Sequence, residues 1–313
     1  MSIKRLPRTL VEAIKYFDDP DTCVEFVAAI RWPDGPICPE CGGTEHSYLT
    51  TRRLWKCKAC KKQFSVKVGT IFEDSSVKLK NWLTAIWLIC NSKNGISSYE
   101  LGRAIGVQQR TAWFMEHRIR LAMQLGHFDA ITGETEVDET FVGGKLKNKH
   151  KWQREQFQKN RKSLADGKSI VVGAKNRETG KVRAKVVKER GINTLVGFIG
   201  ETVDPADSHV YTDAWKPYRG LRHVGIPHSF VDHQGEKYVD GRVHTNGIEN
   251  FWALLKRGIN GTYVQVAPEH LHRYVDERVF TYNLRKLTDF DRFREVLRYV
   301  TGRRLTYAEL TGR

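Results

Sequence analysis

Four of the six cysteines fall into two pairs, Cys38-Pro-Glu-Cys41 and Cys57-Lys-Ala-Cys60, with fifteen residues between the pairs. That spacing is what a four-thiolate zinc site needs. Each CxxC turn presents two sulfurs from one knuckle, and two facing knuckles close a tetrahedron around a d¹⁰ ion. Pro39 stiffens the first knuckle, and Gly42-Gly43 lets the chain reverse behind it. Between the pairs, Tyr48, Leu54 and Trp55 lie in a stretch of strand character, and QFSVKV after them alternates Phe64, Val66 and Val68 with polar residues. The pattern predicts two hairpins clamped by one structural Zn2+ ion, a zinc ribbon over residues 34–72. So small a unit buries too little apolar area to fold alone, so the metal would stabilise it outright. The alternatives are disulfides, which the lack of a secretory apolar segment near the first residues argues against, and a redox CxxC, which two matched pairs argue against. Cys23 and Cys90 stand alone in helical patterns and read as buried apolar residues.

Charge narrows the partner. Of 313 residues, 52 are Lys or Arg and 36 are Asp or Glu, a formal charge of +16. A chain that is 40% apolar has material for packed cores, and its excess positive charge favours a polyanion, with nucleic acid first. The longest nearly apolar stretch, WLTAIWLIC at 82–90, is about half of what a bilayer crossing needs. A soluble cytoplasmic protein, associated with the nucleoid and not with a membrane, is expected.

The periodicity divides the chain further. Residues 1–33 carry Leu10, Ala13, Ile14, Phe17, Val24, Phe26, Val27 and Ile30 at helical spacings. Within 73–128, Leu79 to Cys90 reads as a helix. Ser97 or Ser98 can then cap a short helix with Leu101, Ala104 and Ile105 on one face. Gly106 supplies a turn, and a longer helix runs from Gln108 to Met123. Helix, glycine turn and longer helix make a helix-turn-helix-like pattern. In such a pattern Gln108, Gln109 and Arg110 are the residues that could reach base edges; the plain alternative is a helical hairpin. Over 129–286 the reading changes to strands at EVDETFV, SIVVGA, KVRAKVV and HVYTD, with helices at INTLVGFIG and from Asn246 to Lys256, an α/β domain with a mixed sheet. Leu271, Tyr274, Val275, Val279, Phe280 and Tyr282 predict a covering helix, and 287–313 a C-terminal helical tail. The insertion at 145–168 holds nine basic residues against two acidic. It reads as a basic arm in which Lys145, Lys147, Lys149 and Lys151 neutralise phosphates, or as a solvated hairpin extension.

Three acidic residues keep unusual company. Asp138 lies inside an apolar strand, Asp213 ends HVYTD, and Glu249 lies in HTNGIENFWALLKRGI, one turn ahead of a segment that must pack. Carboxylates at strand ends and on an adjacent helix can converge at one sheet edge and make a magnesium site. Singly, each could be a cap or a solvated group. Asp232, His233 and His244 have no spacing signature, although His244 beside the Glu249 helix is best placed to touch substrate. Phe251 and Trp252 read as core anchors.

The zinc ribbon, the helical segment, EVDETFVGG, VYTDAW and HTNGIENFWALLKRGINGTY, in that order over about residues 20–285, resemble the bacterial insertion-sequence transposases of the IS-fifteen-ninety-five type, also called ISXO-two-like. The resemblance implies an α+β and α/β multidomain chain: zinc ribbon, helix-turn-helix-like segment, and a ribonuclease-H-like mixed-sheet core. It also implies a DDE triad of Asp138, Asp213 and Glu249 holding two Mg2+ (or Mn2+) ions. Thirty-five residues separate Asp213 from Glu249, a familiar interval for such enzymes. Some members are described with asparagine as third ligand, which makes Asn246 the alternative to Glu249. Lys256, two helical turns after Glu249, stands where related enzymes contact the DNA end, with Arg257 beside it.

The resemblance implies cleavage at transposon ends and joining of the freed 3′-hydroxyl to target DNA. The partner is double-stranded DNA, both transposon ends and target, and synapsis of two ends implies a homodimer or higher oligomer. Two rival readings share most of these features: a non-catalytic DNA-binding regulator derived from a transposase, and a metal-dependent nuclease that never joins ends.

Overall fold

The computed structural model describes residues 5–124, 130–144, 168–214, 216–231 and 244–312, together with Lys151 and Glu155. Two compact units emerge, and the first is discontinuous: Met1–Leu125 with Leu284–Arg313 form one, Gly126–Asn283 the other.

In the first unit, the first two helices start at side-chain caps. α1 (Leu10–Tyr16) opens with a capping box between Thr9 and Glu12, and α2 (Pro20–Arg31) opens on Asp19, whose carboxylate accepts the Thr22 N–H, with Pro20 at the first helical position. The ribbon follows as three antiparallel strands, β1 (His46–Leu49), β2 (Leu54–Cys57) and β3 (Gln63–Phe64). Trp55 stacks on Phe64 at 5.9 Å, and Trp32 meets both rings edge-on. The alternation read across QFSVKV yields a strand of only two residues. The Ser65 side chain accepts the Lys67 N–H and the Val68 N–H reaches the Ser65 carbonyl, so the chain turns there while Val66 stays buried.

α3 (Leu79–Asn91) is buried through Trp82, Leu83, Ile86, Trp87 and Ile89. α4 (Ser98–Ile105) begins with a Ser97–Glu100 capping box and ends on Gly106 in the left-handed conformation, φ 70°. α5 (Gln109–Met123) then runs through the middle of the unit, and from Met115 to Arg120 every residue is buried. Arg118 there donates to the Leu305 and Glu73 carbonyls. The stretch after 287 is a structural part of this unit. α9 (Asp289–Arg298) inserts Phe293, which is fully buried, against Phe17, Phe26 and Trp87. The Ile71 N–H reaches the Val300 carbonyl, and α10 (Tyr307–Thr311) closes the chain.

The second unit is a five-stranded sheet of β4 (Ile131–Val142), β5 (Ser169–Asn176), β6 (Val182–Val187), β7 (Val203–Asp213) and β8 (His228–Val231). Their order is β6-β5-β4-β7-β8. β5 is antiparallel to both β4 and β6, whereas β7 runs parallel to β4 and β8 parallel to β7. The antiparallel step from β5 to β6 is a short turn over 177–181, the step from β4 to β5 carries the insertion at 145–168, and the parallel step from β6 to β7 is made by α6 (Ile192–Thr202). Helices cover both faces. Val137, Val172, Ala174 and Val210 pack under Leu195, Phe198 and Ile199 of α6. On the other face Val142, Val171 and Val182 pack under α7 (Asn246–Gly258) and α8 (Leu271–Asn283). The Asn283 amide pairs with both backbone groups of Val182 at 2.8 Å, which satisfies part of the exposed edge of β6. This mixed sheet, with helices on both faces, is a ribonuclease-H-like core. No helix among the described residues is long and apolar enough to cross a membrane.

Candidate active site and zinc centre

The zinc ribbon gathers its four cysteines as the spacing requires. Cys38 Sγ lies 3.6 Å from Cys60 Sγ, and Cys41 Sγ lies 3.6 Å from Cys57 Sγ. All four sulfurs fall within 4.8 Å of one another. A tetrahedral zinc with Zn–S bonds of about 2.3 Å has sulfur–sulfur edges of about 3.8 Å, so the donor set fits that ion in size and chemistry. The Cys60 backbone N–H, with that of Ala59, points at Cys57 and draws its thiol down to about 7, which favours the thiolate a metal needs. Cys23 and Cys90 are buried, and burial pushes both thiols up, Cys23 to about 12.

In the second unit the acidic residues divide by strand parity. β4 pairs with β7 in parallel through Glu136↔Tyr211, and the same offset carries Asp138 alongside Asp213. Residues so paired point to one face, and adjacent strands lie about 4.8 Å apart. Asp138 faces α7, where its Oδ2 accepts the Trp252 indole N–H at 2.9 Å. Its cross-strand partner on the other side is Gly173. Glu139 points to the opposite face, where Tyr218 donates to its Oε2 at 2.6 Å and Arg190 lies 3.7 Å away.

This crowding has an electrostatic consequence. Burial pushes the Asp138 carboxyl up to about 7, with the charges of Glu139 and Asp213 adding to the effect. Burial also raises Glu139, reinforced by Asp213 and opposed by the Tyr218 hydrogen bond and by Arg190. A carboxyl that resists ionisation because it is buried beside other acids is stabilised as its anion by a nearby cation. Asp138 and Asp213 therefore suit a hard divalent ion.

Glu249 lies in the first turn of α7, exposed, and its Oε1 accepts the Thr245 hydroxyl at 3.0 Å. Among the described residues the four cysteines are the only group of three or more potential ligand atoms within 4.8 Å of one another, so Glu249 does not close onto Asp138 and Asp213 at that range. Asn246 begins α7 and is exposed, as are Lys256 and Arg257 near its end. Gln108 is exposed; Gln109 is half-buried and donates to Ser98; Arg110 is exposed, bonds the Tyr307 hydroxyl at 3.1 Å and covers that ring. Lys151 is exposed, whereas Lys145, Lys147 and Lys149, like Asp232 and His233, lie outside the described residues.

Two features were not legible as site residues in the sequence. Trp252 is a core anchor that also holds a carboxylate. Glu136, buried, meets Arg177 Nε at 2.9 Å and the Ile248 N–H at 2.9 Å, with His244 Nδ1 within 3.3 Å. Its position two residues before Asp138, on the same strand face, was the available signal.

Comparison with known proteins agrees with this architecture. Residues 130–283 match the family model of the ISXO2-like transposase domain, and residues 18–63 match that of the transposase zinc-ribbon domain. A relative in Halobacterium salinarum, described as an uncharacterized protein in transposable element ISH50, is 28% identical over 258 residues, covering 79% of this chain and 85% of that protein. A mixed-sheet core and a four-cysteine ribbon, each matched by its own family model and together spanning well over half of the residues, make this chain a member of the ISXO2-like transposases.

Proposed function

We propose that this transposase binds the terminal inverted repeats of an insertion sequence, cleaves DNA at those ends and joins them to target DNA by a DDE mechanism. In this reading Asp138, Asp213 and Glu249 hold two Mg2+ or Mn2+ ions, with Asn246 as the alternative third ligand. The observation that carries it is the parallel pairing of β4 and β7 as far as Glu136↔Tyr211, with Asp138 and Asp213 each two residues further along their strands and Asp138 held up to about 7 by burial and by its acidic neighbours.

When bound, such a pair of ions supplies an activated water and stabilises the leaving oxygen of an in-line displacement. The protein's own residues orient the set. Trp252 fixes the rotamer of Asp138, and Thr245 steers the Glu249 carboxylate. Lys256, seven residues beyond Glu249 and so on the same helical face, extends an exposed cation toward the DNA end, with Arg257 beside it. The zinc ribbon of 34–72 and the helical segment of 73–128, through the exposed Gln108 and Arg110, serve end recognition, and the basic insertion 145–168 neutralises backbone phosphates. Binding should therefore weaken steeply with salt. Two ends are brought together by a homodimer or larger assembly working on nucleoid DNA in the cytoplasm, and 129–286 is the catalytic domain.

The decisive experiment is Asp213→Asn with a duplex carrying the element's end. Cleavage should disappear while affinity for the duplex stays within about twofold, since a buried-edge carboxylate adds no attraction for phosphate. Cleavage at the native rate would remove Asp213 from the site.

A further inference from the structure

We propose that Glu136 and Trp252 are positioning residues that lock α7 onto β4 at two points and thereby fix where Glu249 stands relative to Asp138 and Asp213. The inference rests on the reading of those three residues as the metal-holding set.

The first point is an N-terminal cap supplied from another element. The opening N–H groups of a helix have no partner within it, and α7 has no side-chain cap of its own: the Thr245 hydroxyl donates to Glu249 and accepts no N–H of the first turn. Glu136 fills the vacancy from the strand. Its Oε2 accepts the Ile248 N–H at 2.9 Å, and its Oε1 accepts from Arg177 at 2.9 Å, so the buried charge is both paired and placed at the positive end of the helix dipole. Arg177 also donates to the His244 carbonyl at 2.6 Å, tying down the residue that leads into the helix. Such close approach requires the glycine at 247: a Cβ there would fall 2.6 Å from Glu136 Oε2 and 2.7 Å from Lys175 Nζ.

The second point is the Trp252 indole N–H on Asp138 Oδ2 at 2.9 Å. The two points match in spacing. Residues 136 and 138 share a strand face about 6.7 Å apart, and residues 248 and 252 are separated along the helix axis by about 6 Å. A slip of the helix by one residue would shift it by about 1.5 Å and turn it by about 100°, breaking both bonds together. The register of α7 on β4 is therefore set by two carboxylates of one strand, of which Asp138 is a proposed metal ligand and Glu136 is not. Glu249, next to Ile248, inherits its position from that register.

The test uses the full chain and three variants. Trp252→Phe keeps a ring on the sheet but loses the N–H; Glu136→Ala loses the cap; Glu136→Gln keeps an acceptor oxygen. Trp252→Phe and Glu136→Ala should lower kcat for end cleavage by about tenfold to a hundredfold, as small misplacements of reacting groups do. KM for the DNA should stay unchanged, and Glu136→Gln should recover most of the loss. Hydrogen exchange at the Ile248 and Glu249 amides should quicken by about tenfold in the two disruptive variants, reporting a loosened first turn. Unchanged exchange in Trp252→Phe and Glu136→Ala alike, or native kcat in Trp252→Phe, overturns the clamp; Trp252→Phe decides the matter alone should Glu136→Ala not fold. If the wild-type protein itself does not cleave, the metal-site reading falls, and exchange in α7 still decides the clamp.

Discussion

Gly173 stands directly across the antiparallel β4–β5 pair from Asp138, and a Cβ on it would lie 2.5 Å from the Trp252 ring. The glycine is a seat. With no side chain of its own it lets the indole lie against the strand, within reach of the carboxylate one strand over.

Gly173→Ala should therefore act on stability and on the site together. The added methyl meets ring carbon and the Arg183 carbonyl, neither of which is the free end of a flexible chain. Overpacking of this kind costs about 1–3 kcal/mol, which chemical denaturation of the mixed-sheet unit should register. The displaced indole should also release Asp138, so DNA cleavage falls further than the stability loss alone explains. An alanine variant as stable and as active as the parent would show that Trp252 can sit elsewhere.

Asp138 gives the fold a pH dependence with a definite sign. Its carboxyl is raised from an ordinary value of 3.8 to about 7, burial being the main cause. Below about 4 the group is neutral in both folded and unfolded chains and costs nothing. As the pH rises the unfolded chain ionises first, so stability falls until the folded carboxyl has also ionised near 7, and is flat above that. The loss is on the order of 4 kcal/mol at most. In metal-free buffer the wild type should lose stability between pH 5 and pH 8 relative to Asp138→Asn, which keeps an acceptor for Trp252 but cannot ionise. Magnesium at pH 8 should restore the wild type and leave the variant unmoved. Parallel stability curves for the two proteins would refute the assignment.

What the sequence made legible was local. The ribbon cysteines announce themselves because each pair lies within four residues, and the Ser97–Glu100 box marks the start of α4 for the same reason. Asp138 is conspicuous as a charge inside an apolar strand, but its alignment with Asp213 depends on a parallel pairing made across α6. Glu136 shares its strand face with Asp138, yet its partners Arg177 and Ile248 lie 41 and 112 residues away, and nothing in EVDETFV names them. Periodicity likewise marks the helix that carries Phe293, but not that the ring closes a core with Phe17 and Phe26 at the other end of the chain. At the start of α5 Gln108 and Arg110 are exposed, while the burial of Glu116 to Arg120 shows that most of that helix is scaffold, a distinction its polar composition conceals.

Zinc should matter to the first unit and not to the second. The four sulfurs are held by two knuckles on a three-stranded sheet whose apolar content is little more than Trp32, Trp55 and Phe64. Without an ion, four thiol or thiolate sulfurs within 4.8 Å crowd one another, and the small ribbon has little else to offset its loss of chain entropy. Purified protein should carry one zinc per chain. Chelation, or Cys57→Ser, should open the ribbon: the Trp55–Phe64 stack should loosen, tryptophan fluorescence should shift to the red, and protease should cut within 34–64. The mixed sheet, with its own cores on both faces, should keep its hydrogen-exchange protection under the same treatment. Affinity for the element's ends should fall with the ribbon. A chelated protein whose ribbon resists protease as well as the untreated one would show that the apolar stack suffices without the metal.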